Sequence, residues 1–243
     1  MSDQPRAEQP DPLARGVRIV AGLILGGVAL AVTLIAAGAF DPRPVGPLQA
    51  SEQPGKRTLP AAGEAAFSQP APWAGGSVPA RFSARLTAAL ADGETDSAYG
   101  LTLTNGNAQL LLAISPAGYL TIRETRDSEP PAYHLPWQTW PHIRSGTQAN
   151  ELWLDVTQTN AGAEVTAWVN RERLWSGATD WTPRDTGLWL GSFGGPVTVD
   201  FQSFEWYAAP DAQRYRTDGK KLKSVGIRNQ SKMSSCSRPA ICG

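Results

Sequence analysis

The residues best suited to chemistry lie in the stretch NELWLDVTQTNAGAEVTAWVN, which opens at Asn150. Glu151, Trp153 and Asp155 alternate along a first run, and Trp168 falls in a second run beyond the turn Thr159-Asn160-Ala161-Gly162. A symmetric antiparallel register sets Trp153 opposite Trp168, Asp155 opposite Thr166 and Thr157 opposite Glu164. The same register sets Leu152, Leu154 and Val156 opposite Val169, Ala167 and Val165, an all-apolar face that should be core. Two indoles on the polar face could stack on the apolar side of sugar rings, with Glu151 or Asp155 accepting from hydroxyls. Trp189, outward in GLWLG, is the third ring of this candidate ligand-binding set. The competing expectation is that the Tyr133–His142 loop folds over the rings and buries them.

Other constellations are sparser. Asp92, Glu94 and Asp96 in ADGETDS could offer oxygens to calcium, but three acids do not fill six to eight ligand positions. A solvated turn is the alternative. His134 and His142 lie in an aromatic, proline-broken loop with no nucleophile elbow nearby. No metal or catalytic set is therefore predicted. Net charge is zero, which argues against nucleic acid as a partner.

The elements that must position these residues read as strands. Arg81–Leu90 and Tyr99–Thr104 alternate. Asn105-Gly106 signals a tight hairpin, predicted to set Leu103 opposite Ala108 and Leu101 opposite Leu110. Ala108–Ile114 is apolar on both faces, as a central strand would be. Tyr119–Glu124 follows, then an irregular stretch over 126–147. Gly187–Ser192 turns Leu188 and Leu190 inward. Val197–Tyr207 is the last strand, and its phase change between Phe201 and Phe204 predicts a bulge.

The flanks differ. Residues 1–18 are polar and predict a cytoplasmic tail. Ile19–Phe40 carries no charge over a length of about 33 Å, which predicts a transmembrane helix. Arg6, Arg15 and Arg18 precede it and Arg43 follows, a bias toward a cytoplasmic N-terminus. That predicts a single-pass cell-membrane protein with an extracytoplasmic C-terminal domain. Residues 41–76 read as an extended Pro/Ala-rich linker, 77–209 as the folded domain, and 210–243 as a basic disordered tail. Cys236 and Cys242 both lie in that tail, so the strand-rich region has no disulfide.

Tyr99-Gly100-Leu101, Gly118-Tyr119, Trp140 with Ser145 and Gly146, Asn150, Val169-Asn170, Gly187-Leu188 and Phe201-x-x-Phe204 follow one another in an order that resembles the concanavalin A-like lectin/glucanase superfamily. The likeness is to its laminin G-like and domain-of-unknown-function-1080-like branch, over roughly 81–207. Arg171 departs from it, standing where a glycine usually follows the asparagine. The resemblance implies an all-β fold, a two-sheet antiparallel jelly-roll-like sandwich, here behind one N-terminal membrane helix. Its hydrolytic branch places acids as E-x-D-x-x-E on one strand, and no such run occurs here. The expectation is a non-catalytic module that binds carbohydrate or cell-envelope components. The alternative is an accessory subunit docking on a protein through its Trp face.

Overall fold

The computed structural model describes residues 12–39, 41–73, 76–127 and 129–210. One helix, α1 (Pro12–Ala36), precedes β1 (Leu48–Glu52), β2 (Gly55–Leu59), β3 (Gly63–Gln69), β4 (Arg81–Gly93), β5 (Ser97–Thr104), β6 (Ala108–Ile114) and β7 (Tyr119–Arg126). β8 (Ala132–Thr139), β9 (Asn150–Thr159), β10 (Gly162–Val169), β11 (Glu172–Thr179), β12 (Asp185–Ser192) and β13 (Val197–Ala208) complete the chain. They form two antiparallel sheets. The first runs β1-β13-β4-β9-β10-β11, with β2 also on β13; the second runs β3-β12-β5-β6-β7-β8. The fold is an all-β sandwich.

The core follows from period-2 patterning. Phe82, Ala84, Leu86, Leu152, Leu154, Val156, Val165, Ala167 and Val169 face inward from the first sheet. Tyr99, Leu101, Leu103, Leu110, Leu112, Leu188 and Leu190 meet them from the second. Trp206 is fully buried between the sheets, and its indole N–H donates to Thr186 Oγ1 at 3.0 Å. The β9–β10 register matches the symmetric expectation at every pair, Trp153 with Trp168 included. The β13 bulge lies between Phe201 and Ser203.

Several expectations are corrected. The β5–β6 hairpin pairs Leu103 with Leu110 and Leu101 with Leu112, two residues away from the tight-turn register. Asn105 Oδ1 accepts from the N–H groups of Asn107 and Ala108, so the side chain builds a wider loop. An even shift keeps every side chain on its face. Residues 41–76 are not an extended linker. β1 and β2 together form one edge line along β13, broken at Gln53 and Pro54, and β3 is the edge of the other sheet on β12. The sandwich therefore starts near residue 48. The irregular stretch after Arg126 contains edge strand β8, and Glu172–Thr179 is edge strand β11.

The predicted span 19–40 meets a helix of different bounds, which ends at Ala36. Among the described residues, no helix is long and apolar enough to cross a membrane. Val20, Leu23, Ile24, Leu25 and Val28 on it are exposed. The terminal tails, with Cys236 and Cys242, fall outside the described residues.

Candidate functional site

Asn150 and Asn170, two residues of the family-like pattern, prove to be pins. Fully buried Asn150 donates to Tyr99 Oη (3.1 Å) and to the Arg144 carbonyl (2.9 Å), and its Oδ1 accepts from Arg144 N (2.8 Å). Asn170 Nδ2 donates to Asn150 Oδ1 and to the His142 carbonyl, both at 2.7 Å. These bonds tie the 140–149 loop to the sandwich. Asn170 and Arg171 both hold positive φ, 50° and 73°, so the turn keeps its left-handed shape despite lacking glycine.

The expected Trp platform exists as a pair but not as a surface. The rings of Trp153 and Trp168 lie 5.0 Å apart, tilted by 36°. Trp153, however, is only 1% exposed. The segment 41–47 is tied down on this side of the first sheet. Asp41 pairs with Arg171 beyond β10, Val45 N donates to Ser83 Oγ on β4 (2.7 Å), and Ala208 N donates to the Pro47 carbonyl (3.2 Å). This strap runs from β10 toward β13 and so passes over β9, where Trp153 sits.

The acids of the predicted set are also engaged. Asp155 accepts from Ser83 Oγ (2.5 Å) and from Trp168 Nε1 (2.8 Å). Burial pushes the Asp155 carboxyl up in pKa, against those two bonds, which favour its charge. Glu151 lies 3.5 Å from Arg85 and 3.9 Å from Arg171.

Trp189 does not join them. It lies on the outer face of the other sheet, in a small cluster with Ala98, Leu111 and Ala113, and is 3% exposed. Glycines make room for it: a Cβ at Gly191 would meet its ring at 2.3 Å. Arg123 lies over the ring at 5.3 Å and is ion-paired to Glu64, to which Trp189 Nε1 also donates at 3.3 Å. Five expected site residues thus fall on two opposite faces, with Trp153 and Trp189 buried and Trp168 half-buried.

An open aromatic site lies elsewhere, at one end of the second sheet. Thr95, Asp96, Ser115, Ala117, Tyr119, Trp137 and Phe193 line a cavity of about 330 Å³. Tyr119, Trp137 and Phe193 are 44%, 36% and 59% exposed. Trp137 and Phe193 meet edge-on with ring centroids 6.0 Å apart. The walls are braced from within. Ser115 Oγ donates to the Thr95 carbonyl (2.8 Å), Ser97 Oγ to the Glu94 carbonyl (2.7 Å), and Ser192 Oγ to the Gly195 carbonyl (2.5 Å). Asp96 Oδ2 would lie 2.8 Å from a Cβ at Gly194, so glycine there lets the Phe193 loop sit against the carboxylate. Asp96 itself has no side-chain hydrogen bond or ion pair among the described residues.

Asp92, Glu94 and Asp96 do not form the calcium cage considered for them. Among the described residues, no group of three or more His, Cys, Asp or Glu is placed to hold a metal ion. Sequence reasoning missed Tyr119, Trp137 and Phe193 as a group. A signal was present: Phe193 is a large apolar residue next to Gly194-Gly195, and Trp137 follows Pro136, both hallmarks of exposed segments.

A second cavity, of about 440 Å³, opens beside the seam between edge strands β8 and β11. Glu124 there accepts from Trp181 Nε1 (2.9 Å) and Arg126 Nε (2.7 Å), and its other oxygen lies 3.2 Å from His134 Nε2. Arg126 also pairs with Asp180, and the His134 ring packs on Trp175 at 5.0 Å. These contacts join the sheets across the seam.

No family model matches the chain, and no curated protein does. Solved structures are distantly similar to it, each with a TM-score below 0.5. Among them is the carbohydrate binding module CBM66 from Bacillus subtilis, at 10% identity and a TM-score of 0.41, covering 67% of this chain and 92% of that one. The Ruminococcus gnavus IT-sialidase CBM40 bound to α2,6 sialyllactose is 11% identical with a TM-score of 0.42, covering 68% and 95%. The Caenorhabditis elegans galectin LEC-6 is 15% identical with a TM-score of 0.36, covering 65% and 94%. The likeness concerns the fold alone.

Proposed function

We propose that this chain is a non-catalytic carbohydrate-binding module whose site is the Tyr119–Trp137–Phe193 cavity. One observation carries the reading. Three large aromatic side chains that a soluble sandwich would ordinarily cover are left in solvent around one concavity, beside a carboxylate with no partner among the described residues. Aromatic faces match the apolar face of a pyranose, and Asp96 is placed to accept from ring hydroxyls. The Trp153 face is a poorer candidate for sugar or for a protein partner, because the strap already lies on it. A glycan array probed with the full-length chain in detergent tests the reading. Saturable binding that Trp137→Ala removes supports it; binding unaffected by that change refutes it.

Membrane attachment belongs to the same proposal. The uncharged segment 19–40 is the attachment element, and the sandwich lies on the extracytoplasmic side, where envelope glycans are found. The exposed apolar side chains of α1 support this, since nothing in the sandwich covers them. Alkaline extraction of membranes tests it: the full chain should stay with the pellet, and a chain starting at residue 41 should be released.

A further inference from the structure

We infer that the sugar taken by this cavity carries a protonated amine, as de-N-acetylated amino sugars do; this rests on the carbohydrate-binding reading above. Among the described residues, Asp96 is the one charged residue lining the cavity. Its carboxylate lacks a cationic partner among the described residues, unlike Asp155, Glu124, Glu151, Glu64 and Glu205, each of which is hydrogen-bonded or ion-paired. Glu94 in the β4–β5 connection and Asp92 at the end of β4 are also exposed, so the local field is negative, and among the described residues no lysine or arginine lines the cavity to offset it. The three acids considered for calcium thus find a different role.

The rings add to this preference. The face of each aromatic ring carries negative potential, so Tyr119, Trp137 and Phe193 attract a cation as well as an apolar sugar face. A neutral hexose would stack on the rings and offer Asp96 only hydroxyl hydrogen bonds. A hexose with an ammonium group would add a cation–π contact and an ion pair to Asp96 in one pose. A uronic or sialic acid would bring its carboxylate toward Asp96 and is disfavoured. Charge complementarity therefore selects among sugars of the same shape.

The test compares oligomers of glucosamine, glucose and glucuronic acid, matched in linkage and length, titrated into the full-length chain in detergent. The glucosamine oligomer should bind about tenfold tighter than the glucose oligomer, from one cation–π contact and one exposed ion pair together. The glucuronic acid oligomer should bind weakest, and the glucosamine advantage should shrink at high salt. Asp96→Asn should remove the ion-pair share of the glucosamine advantage, cutting it about threefold, while leaving thermal stability unchanged. Equal binding of glucosamine and glucose, or a glucosamine advantage that Asp96→Asn leaves undiminished, overturns the inference but leaves the carbohydrate reading standing. Absence of binding to all three oligomers overturns both.

Discussion

The carboxyl of Glu124 is 6% exposed at the seam between edge strands β8 and β11. Burial works against its charge, but hydrogen bonds from Trp181, Arg126 and His134 together outweigh that and hold its pKa below the usual carboxylate range. A carboxyl with a lowered folded-state pKa adds stability above its unfolded value, near about 4.3, and loses it as pH falls through the folded value. The melting temperature should therefore drop on acidification below about pH 4. Glu124→Gln should be less stable at neutral pH by about 1–3 kcal/mol and show a flatter acid limb. Thermal melts across pH check both. Trp153 and Trp137 give a second contrast. Trp153→Ala removes a buried ring and should cost about 3–5 kcal/mol. Residue roles were only half legible: alternation put Trp153 and Trp168 on one face, yet nothing local encodes which distant segment lies on that face.

At the scale of elements, legibility tracked how local the determinant is. The β9–β10 register follows from one turn and two alternating runs, so it was readable pair by pair. The β5–β6 register depended on which backbone amides the Asn105 side chain would cap, and the reading missed by two residues. β1, β2 and β3 are hidden in the sequence because, as edge strands, they bury few residues, so no run of inward apolar side chains marks them. Trp189 was grouped with the wrong rings because a strand's sequence fixes its faces, not its sheet. The β10–β11 pairing offers a test. Gly162 has φ of 139°, and a Cβ there would lie 2.0 Å from the Thr179 carbonyl. Gly162→Ala should cost about 2–4 kcal/mol by denaturant melt.

The whole molecule is closed along one side by the chain from β1 to β3, which edges both sheets in turn, and along the other by the Glu124 seam. The strap 41–47 then ties the segment after α1 to the first sheet, so the sandwich is held near that helix rather than on a long flexible tether. A chain starting at residue 73 lacks three strands and the strap and should show no cooperative thermal transition. One starting at residue 41 should melt cooperatively. Calorimetry of the two separates a folded 41–76 from an extended linker.

The most direct measurement is titration of a binding oligosaccharide, followed in parallel on Trp137→Ala and Trp168→Ala. Trp137→Ala should weaken binding by about tenfold or more while keeping the melting temperature, and Trp168→Ala should lower the melting temperature while leaving affinity intact. Binding lost in Trp168→Ala and kept in Trp137→Ala would contradict the account and return the site to the strapped face.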